Sequence, residues 1–227
     1  FPLPLRTRVN GNPEFGPETL YAYEAGIRSQ VSERVSLDFA GFVFDYSGLR
    51  SITTTGVFCN PGGASPLVDP LCVLGSDSVF ADAILNNALE SRITGGELSM
   101  NWIVSDRARV AAFVAYARED FGAGSADAFN VAGYPELQAT LRADWMPVTG
   151  LSVGVLVRYV DDIEAVSVPS LTQANLNLRW QINRDWALNA GIRNLLKDRT
   201  LEYRSELSDI VSTEIERSAY VNVHFGF

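Results

Sequence analysis

The sequence predicts an all-β chain that forms part of a transmembrane antiparallel β-barrel. Apolar and polar residues alternate with a period of two over about nine segments, short and long connections alternate between them, and aromatic residues concentrate near the segment ends. Such alternation is typical of strands with one apolar and one polar face. A sheet with one face in hydrocarbon has to close on itself, because an exposed edge would leave backbone groups unpaired.

Five segments in the second half of the chain show the alternation most clearly. In the first of them, Leu141 and Trp145 share one register, whereas Arg142 and Asp144 share the other. These five predicted strands cover residues 137–145, 151–159, 173–182, 186–193 and 218–227. Four less regular strands are predicted at residues 21–27, 35–46, 96–104 and 110–116.

The connections are sorted by length. Short ones are predicted at residues 31–34, 105–108, 148–150 and 183–185, and long ones at residues 51–91, 122–135, 162–169 and 199–213. Tight turns on one rim and extended loops on the other are typical of outer-membrane barrels, and a soluble β-sandwich offers no reason for this sorting. A single-chain bacterial barrel has an even number of strands. The odd number of strands therefore indicates the carboxy-terminal part of a larger barrel. The chain starts at Phe1 without a signal peptide, so that we expect either a mature product or a piece of a longer protein.

The tryptophans support two membrane interfaces. Trp102, Trp145, Trp180 and Trp186 all lie in the apolar register near short turns, whereas most tyrosines lie near the long loops. Aromatic rings with a polar edge prefer the headgroup zone, which predicts an aromatic belt at each end of the strands. The alternative is that aromatic residues simply favour strands.

Composition excludes several classes of protein. The net charge is −9, with 18 basic and 27 acidic residues, which argues against a broad nucleic-acid interface. No run of about 18 apolar residues is present, which excludes helical membrane spans. Inside a barrel, the polar register would line the lumen with charged residues such as Arg142, Asp144, Arg158, Arg179 and Arg193.

Cys59 and Cys72 are the two cysteines, and both lie in a stretch rich in Gly and Pro, residues 56–75. A zinc site is disfavoured because His224, the single histidine, is far away in the sequence. We therefore expect a disulfide that closes a loop, contributes about 3 kcal/mol in the chain-entropy model and indicates an oxidising compartment. Two unpaired thiols in a mobile loop are the alternative.

The last predicted strand ends in an alternating apolar series. Val223, Phe225 and Phe227 occupy every second position up to the carboxy-terminus. This series is interpreted as the signal that the barrel-assembly machinery reads, although an ordinary lipid-facing last strand would show the same pattern.

An ordered series of short motifs resembles the TonB-dependent outer-membrane receptors. It consists of Asn-Pro-Glu-Phe-Gly-Pro-Glu-Thr at 12–19, Tyr-Glu-Ala-Gly-Ile-Arg at 23–28, Gly-Glu-Leu at 96–98 before Trp102, Val-Pro-Ser-Leu at 168–171, Asn-Leu-Leu at 194–196 and Glu-Arg-Ser-Ala-Tyr at 216–220. The chain departs from the family where Leu196 and Lys197 precede Asp198, since the family commonly has an aromatic residue and an aspartate after Asn-Leu.

The resemblance implies that residues 1–227 are the carboxy-terminal portion of a barrel of about 22 strands, in the bacterial outer membrane, whose amino-terminal plug is not in this chain. The implied function is TonB-energised uptake of a scarce ligand such as a ferric siderophore. The implied partners are outer-membrane lipid, the plug and remaining strands, the TonB complex, the barrel-assembly machinery and an unknown small molecule, with no nucleic acid, cofactor, metal or catalytic residue.

Three other functions are alternatives for a chain with this pattern. A passive porin differs in having no plug upstream, and a soluble β-sandwich that serves as a binding module would fold in plain buffer. An outer-membrane hydrolase is disfavoured, because a serine nucleophile needs an oriented base and His224 has no partner in the sequence.

Overall fold

A computed structural model of the chain describes residues 4–61, 63–122, 133–204 and 211–226. These residues form twelve strands and two short 3₁₀ helices, at Pro70–Gly75 and Glu164–Val166. The strands are β1 (Leu5–Asn10), β2 (Thr19–Ser32), β3 (Val35–Asn60), β4 (Ser78–Ser105), β5 (Ala108–Phe121), β6 (Leu137–Val148), β7 (Leu151–Val160), β8 (Leu171–Gln181), β9 (Trp186–Arg193), β10 (Arg199–Tyr203), β11 (Thr213–Glu216) and β12 (Ser218–Phe225). Among the described residues no helix is long and apolar enough to cross a membrane.

Nine strands follow one another across the main sheet. The order is β2, β3, β4, β5, β6, β7, β8, β9 and β12, and β1 joins this sheet by pairing in parallel with β4. The pairs from β5 to β9, and β9 with β12, are antiparallel, and β10 and β11 form a separate antiparallel hairpin. The predicted all-β class, the antiparallel barrel fragment and the number of strands are confirmed.

The strand register places the apolar residues of neighbouring strands in rows. One row crosses six strands and consists of Val110, Ala143, Val155, Leu176, Ile192 and Ala219. The side chains of the neighbouring row point to the opposite face of the sheet. This row consists of Arg109, Asp144, Gly154, Asn177, Gly191 and Tyr220. Since successive side chains of a strand point to opposite faces, a slip of one residue would have mixed the two rows.

The four short connections lie where the sequence predicts them, but the first long connection is much shorter than expected. β3 continues to Asn60 and β4 begins at Ser78, which leaves 61–77 as the loop instead of 51–91. Residues 51–60 show no alternation of apolar and polar residues, and five of the ten are β-branched threonine, isoleucine or valine, which favour strands on either face. The predicted loop at 199–213 contains β10 and the start of β11, and most of the predicted loop at 122–135 lies outside the described residues.

Cα proximity divides the chain into two compact units. Unit 1 comprises Phe1–Ala22, Phe44–Arg92 and Glu119–Val131. Unit 2 comprises Tyr23–Val43, Ile93–Arg118 and Ala132–Phe227, and it contains the rows described above. Each unit contributes its own candidate site.

Candidate functional site

In unit 2, the charged residues of the aligned strand segments all lie on one face, which we call the polar face. It presents the side chains of the polar registers of β5 to β9 and β12. Its charged members are Arg109, Arg142, Asp144, Arg158, Arg179 and Arg193. The opposite face of the same segments carries no Asp, Glu, Lys or Arg. The polar face therefore has five positive charges and one negative charge.

The aspartate of the polar face is engaged by its neighbour on the same strand. Arg142 donates from Nε to Asp144 Oδ2 at 2.7 Å and from Nη2 to Asp144 Oδ1 at 3.1 Å. The two side chains meet because residues two apart on a strand share a face. Gly154 lies opposite Asp144, and a Cβ atom there would approach Asp144 Oδ1 to 3.0 Å, so glycine leaves room for the carboxylate.

Most arginines of the polar face lack such a partner. Within residues 4–61, 63–122, 133–204 and 211–226, no carboxylate lies within ion-pair distance of the guanidinium of Arg109, Arg158 or Arg179. Arg193 lies over the ring of Tyr220, with its Cζ atom 5.9 Å from the ring centroid. A cation over an aromatic face is stabilised by the ring, but its charge is not neutralised.

Tyr220 is fixed flat against the polar face. Its ring covers Gly191, where a Cβ atom would come within 2.7 Å of the ring atoms. Its hydroxyl donates to Asn177 Oδ1 at 3.0 Å, on the strand beyond. Covering a strand glycine with an aromatic ring from the next strand pins the register of the pair, here β9 and β12.

These side chains surround an open recess of about 530 Å³, which we call the arginine recess. Its polar lining consists of Arg142, Asp144, Ser152, Asn177, Arg179, Asn189 and Tyr220. Guanidinium, amide and hydroxyl groups together donate many hydrogen bonds, and arginine binds carboxylates through two parallel ones. The chemistry of the arginine recess therefore suits a group that is rich in acceptors or negatively charged.

A second feature of unit 2 is the attachment of the β10–β11 hairpin. Asn194 is fully buried and has a left-handed backbone, with φ 52°. Its Nδ2 donates to Thr200 Oγ1 at 3.1 Å and to the Ile215 carbonyl at 3.0 Å, and its backbone N–H donates to Asn175 Oδ1 at 3.0 Å. One side chain thereby joins both strands of the hairpin to the end of β9. Asparagine tolerates this backbone conformation better than most residues.

Unit 1 contains the two cysteines, Cys59 near the end of β3 and Cys72 in the β3–β4 connection. A disulfide joins Cys59 to Cys72, with their Cα atoms 6.1 Å apart. The backbone N–H of Cys59 donates to the Ala64 carbonyl at 2.8 Å, and Asp69 Oδ1 accepts from the N–H of Leu71 at 3.1 Å. The loop thus has hydrogen bonds of its own, and it exposes four large aliphatic side chains, Leu67, Val68, Leu71 and Leu74.

Also in unit 1, β1 is attached to β4 by an ion pair. Arg8 donates from Nε to Asp82 Oδ1 at 2.7 Å and from Nη2 to Asp82 Oδ2 at 2.5 Å. The hydrogen bond from Arg8 lowers the pKa of the Asp82 carboxyl below its ordinary value.

A separate recess of unit 1, of about 660 Å³, is lined by Tyr21, Asp45, Tyr46, Glu90, Arg92 and Asp120.

The other residues that the sequence singles out lie in the following places. Each of the four tryptophans is partly exposed, with relative exposures of 43% for Trp102, Trp180 and Trp186 and 56% for Trp145. The ring of Trp186 packs against Phe225 at 4.6 Å between centroids, and Val223 lies opposite Leu188. Phe227 lies outside the described residues. The interface and assembly roles of these residues stay predictions.

The family model described as TonB dependent receptor-like, beta-barrel matches residues 3–195. The chain belongs to this family. The resemblance based on the ordered motifs is therefore confirmed. No curated protein matches the sequence.

Solved receptor structures have the same fold as this TonB-dependent receptor barrel. The siderophore receptor PirA from Acinetobacter baumannii is 16% identical, with a TM-score of 0.64 over 96% of this chain and 33% of that one. The ferric yersiniabactin uptake receptor FyuA from Yersinia pestis is 16% identical, with a TM-score of 0.64 over 92% and 30%. The copper transporter OprC is 19% identical, with a TM-score of 0.62 over 94% and 32%. The chain spans about one third of the length of each of these proteins.

Proposed function

We propose that the chain is part of a bacterial outer-membrane receptor that takes up a scarce ligand, such as a ferric siderophore, with energy supplied through TonB. The observation that carries this proposal is the family match over residues 3–195. Among the solved structures with the same fold, one is described as a siderophore receptor, one as a ferric yersiniabactin uptake receptor and one as a copper transporter. In the full-length protein, residues 1–227 would supply barrel wall and outer loops, and the plug that contacts TonB would precede them.

Transport in living cells tests the proposal. The full-length gene is deleted, and uptake of radioactive iron presented as a ferric hydroxamate or a ferric catecholate is compared with that of the parent strain. We expect saturable uptake of one of these probes to disappear both in the deletion strain and in a strain without TonB. Uptake that persists without TonB would favour a passive porin, and unchanged uptake in both strains would refute an iron receptor.

The two faces of unit 2 allow a test of membrane location. Spin labels at Leu141, Val155 and Leu178 occupy the apolar registers, and labels at Thr140 and Asn177 occupy the polar ones. In reconstituted full-length protein, we expect oxygen dissolved in lipid to relax the first set and a water-soluble relaxation agent to reach the second. Labels of the first set that report packed protein would contradict the lipid-facing assignment.

Assembly into the membrane is a separate part of the proposal. Since Phe225 and Val223 continue the alternating series that ends at Phe227, we infer that these residues form the signal read by the assembly machinery. Removal of Phe227 from the full-length protein is expected to reduce the amount of folded, heat-modifiable barrel in outer membranes. Removal of Phe1, at the other end of this segment, is the matched control, and equal amounts of barrel in both variants would contradict the inference.

A further inference from the structure

A small cavity of unit 2 lies apart from the arginine recess, where β6 begins and β7 ends. Its volume is about 190 Å³, and the connection from β7 to β8 and the strand β10 complete its wall. An engineered apolar cavity of roughly 150 Å³ in another protein binds benzene. The cavity therefore has room for a group somewhat larger than one aromatic ring.

Much of the lining of this cavity is apolar. Val168 and Leu171, which are 7% and 6% exposed, contribute to it together with Val160, Ile163 and Leu201. The connection from β7 to β8 is held in shape by backbone hydrogen bonds between Ile163 and Val168, at 2.8 Å in one direction and 3.1 Å in the other. The cavity thus has a preformed apolar wall, which favours an apolar group in its occupant.

Three charged side chains line the same cavity. They are Arg158 from β7, Asp161 just after it and Glu202 from β10. Among the described residues, none of the three has an ion-pair partner. Asp161 Oδ1 accepts hydrogen bonds from the Tyr159 hydroxyl at 3.0 Å and from the N–H of Asp162 at 3.1 Å, so Oδ2 is the oxygen that an occupant would bind. An occupant that displaces water here has to compensate charges of both signs, because a charge that is buried without a partner is costly.

We propose that this cavity, which we call the zwitterion site, binds a group with a carboxylate, an ammonium and a compact apolar body. This is the chemistry of an α-amino acid with a large apolar side chain. Arg158 binds the carboxylate through two parallel hydrogen bonds, Asp161 and Glu202 bind the ammonium, and the apolar body packs against Val168 and Leu171. The inference rests on the proposed function and deepens it, since the ligand of such a receptor would be, or would contain, this kind of amino acid.

An ion with a single charge fits the zwitterion site less well. A simple anion at Arg158 would bring a negative charge close to two carboxylates, and a simple cation at the carboxylates would leave Arg158 without a counter-charge. The amide of Gln138, which also lines the cavity, suits either end of a zwitterion because it can both donate and accept hydrogen bonds.

Calorimetry on the purified full-length receptor tests the proposal with three probes that share one aromatic ring. Phenylalanine carries both charges, 3-phenylpropionate lacks the ammonium and 2-phenylethylamine lacks the carboxylate. We expect phenylalanine to bind and each of the other two to bind at least about tenfold more weakly, because each lacks hydrogen bonds to a charged group. If either of them binds as tightly as phenylalanine, or if phenylalanine does not bind, the proposal is overturned.

Two charge-neutralising variants locate the binding at the zwitterion site. We expect Arg158→Gln to weaken the binding of phenylalanine at least about tenfold and to leave that of 2-phenylethylamine no weaker than in the parent. In Glu202→Gln the binding of phenylalanine should weaken, whereas that of 3-phenylpropionate should not. The matched control is Arg184→Gln in the β8–β9 turn, which removes the same charge outside the cavity and should keep the parent affinity.

The remaining outcomes are also decisive. Equal weakening in Arg158→Gln and Arg184→Gln would show a general effect of charge and overturns the proposal. If Arg158→Gln lowers the amount of folded barrel, Glu202→Gln and the three probes decide. Binding to the purified receptor requires neither TonB nor iron, so failure of transport is distinguishable from failure of the zwitterion site.

Discussion

The two units of the chain differ in charge and in how their strands are held. Unit 1 has nine described acidic residues, Glu14, Glu18, Asp45, Asp69, Asp77, Asp82, Glu90, Glu119 and Asp120, and four basic ones, Arg6, Arg8, Arg50 and Arg92. Unit 2 is almost balanced, with 15 acidic and 14 basic described residues, and only the aligned segments of its polar face have an excess of positive charge, five arginines to one aspartate. Both units have hydrogen bonds between side chains of different strands, such as Tyr220 to Asn177 in unit 2 and Asn86 to Thr53 in unit 1. The strands of unit 2 are aligned mainly by alternating registers, whereas unit 1 has a disulfide and little alternation in β3 and β4 after residue 50. The alternation therefore predicts unit 2 better than unit 1.

The largest expected effect is on the apolar face of unit 2. Leu141→Arg in the full-length protein is expected to destabilise the folded barrel by about 2–4 kcal/mol, the cost of an arginine facing mid-membrane lipid. The measurement is the fraction of heat-modifiable barrel across a urea series. Thr140→Arg, one residue earlier and on the polar face, is the matched control and is expected to be far milder. Equal losses in the two variants would contradict the assignment of the faces.

The next effect concerns unit 1 alone. Cys59→Ser is expected to cost the loop about 3 kcal/mol, because the open chain gains entropy that the disulfide removes. Protease cleavage within 61–77 of the folded receptor should become much faster, while the melting of unit 2 stays unchanged. Non-reducing mass analysis of the parent should find Cys59 linked to Cys72. Labelling of both as free thiols, or a parent loop cleaved as fast as the variant, would refute the prediction.

The sequence predicts unit 2 well because its strands follow a simple physical rule. The alternation prevails in the aligned segments of β5–β9 and β12, although Phe113 and Leu156 lie in the polar register. The partner of each strand is its neighbour in the sequence wherever the connection is short. The order of strands, the short turns and the faces of Arg142, Arg158 and Arg179 follow from that rule. The alternation does not predict which side chains form ion pairs, because that depends on their positions in three dimensions. The sequence therefore could not show that Arg158 and Arg179 lack ion-pair partners among the described residues.

The alternation does not hold in the last residues of β3 and the first residues of β4. Thr53 and Asn86 form a side-chain hydrogen bond at 2.7 Å, and Ser51 is bonded to Asn86 as well. Small polar residues on both faces of a strand give no alternation, so the stretch resembles a loop in sequence. The parallel pairing of β1 with β4 joins residues more than 70 positions apart and has no local signal. The role of Asn194 was missed as well, although an asparagine directly after a strand could have suggested a left-handed turn.

A smaller effect is expected at that asparagine. Asn194→Ala removes buried hydrogen bonds to Thr200 and Ile215 and places alanine at positive φ, which together should weaken the attachment of the hairpin by about 2–3 kcal/mol. Asn194→Gly is the matched variant, since it loses the same bonds but adopts the backbone without strain. Hydrogen exchange of β10 and β11 should accelerate in the order parent, glycine, alanine. Equal exchange in all three proteins would show that the side chain does not hold the hairpin.

The smallest expected effect is the pH dependence of the attachment of β1 in unit 1. Because the hydrogen bond from Arg8 lowers the pKa of Asp82, the ion pair stabilises β1 above the ordinary carboxyl pKa, near 4, and this stabilisation is lost as the pH falls through the lowered value. Hydrogen exchange of the β1 amides, corrected for intrinsic rates, should therefore show less protection at about pH 2.5 than at about pH 6. In Asp82→Asn, whose side chain cannot ionise, the corrected protection should already be low at the higher pH and should change little on acidification. A parent and a variant with the same pH profile would mean that β1 is held by its backbone pairing with residues 79–84 alone.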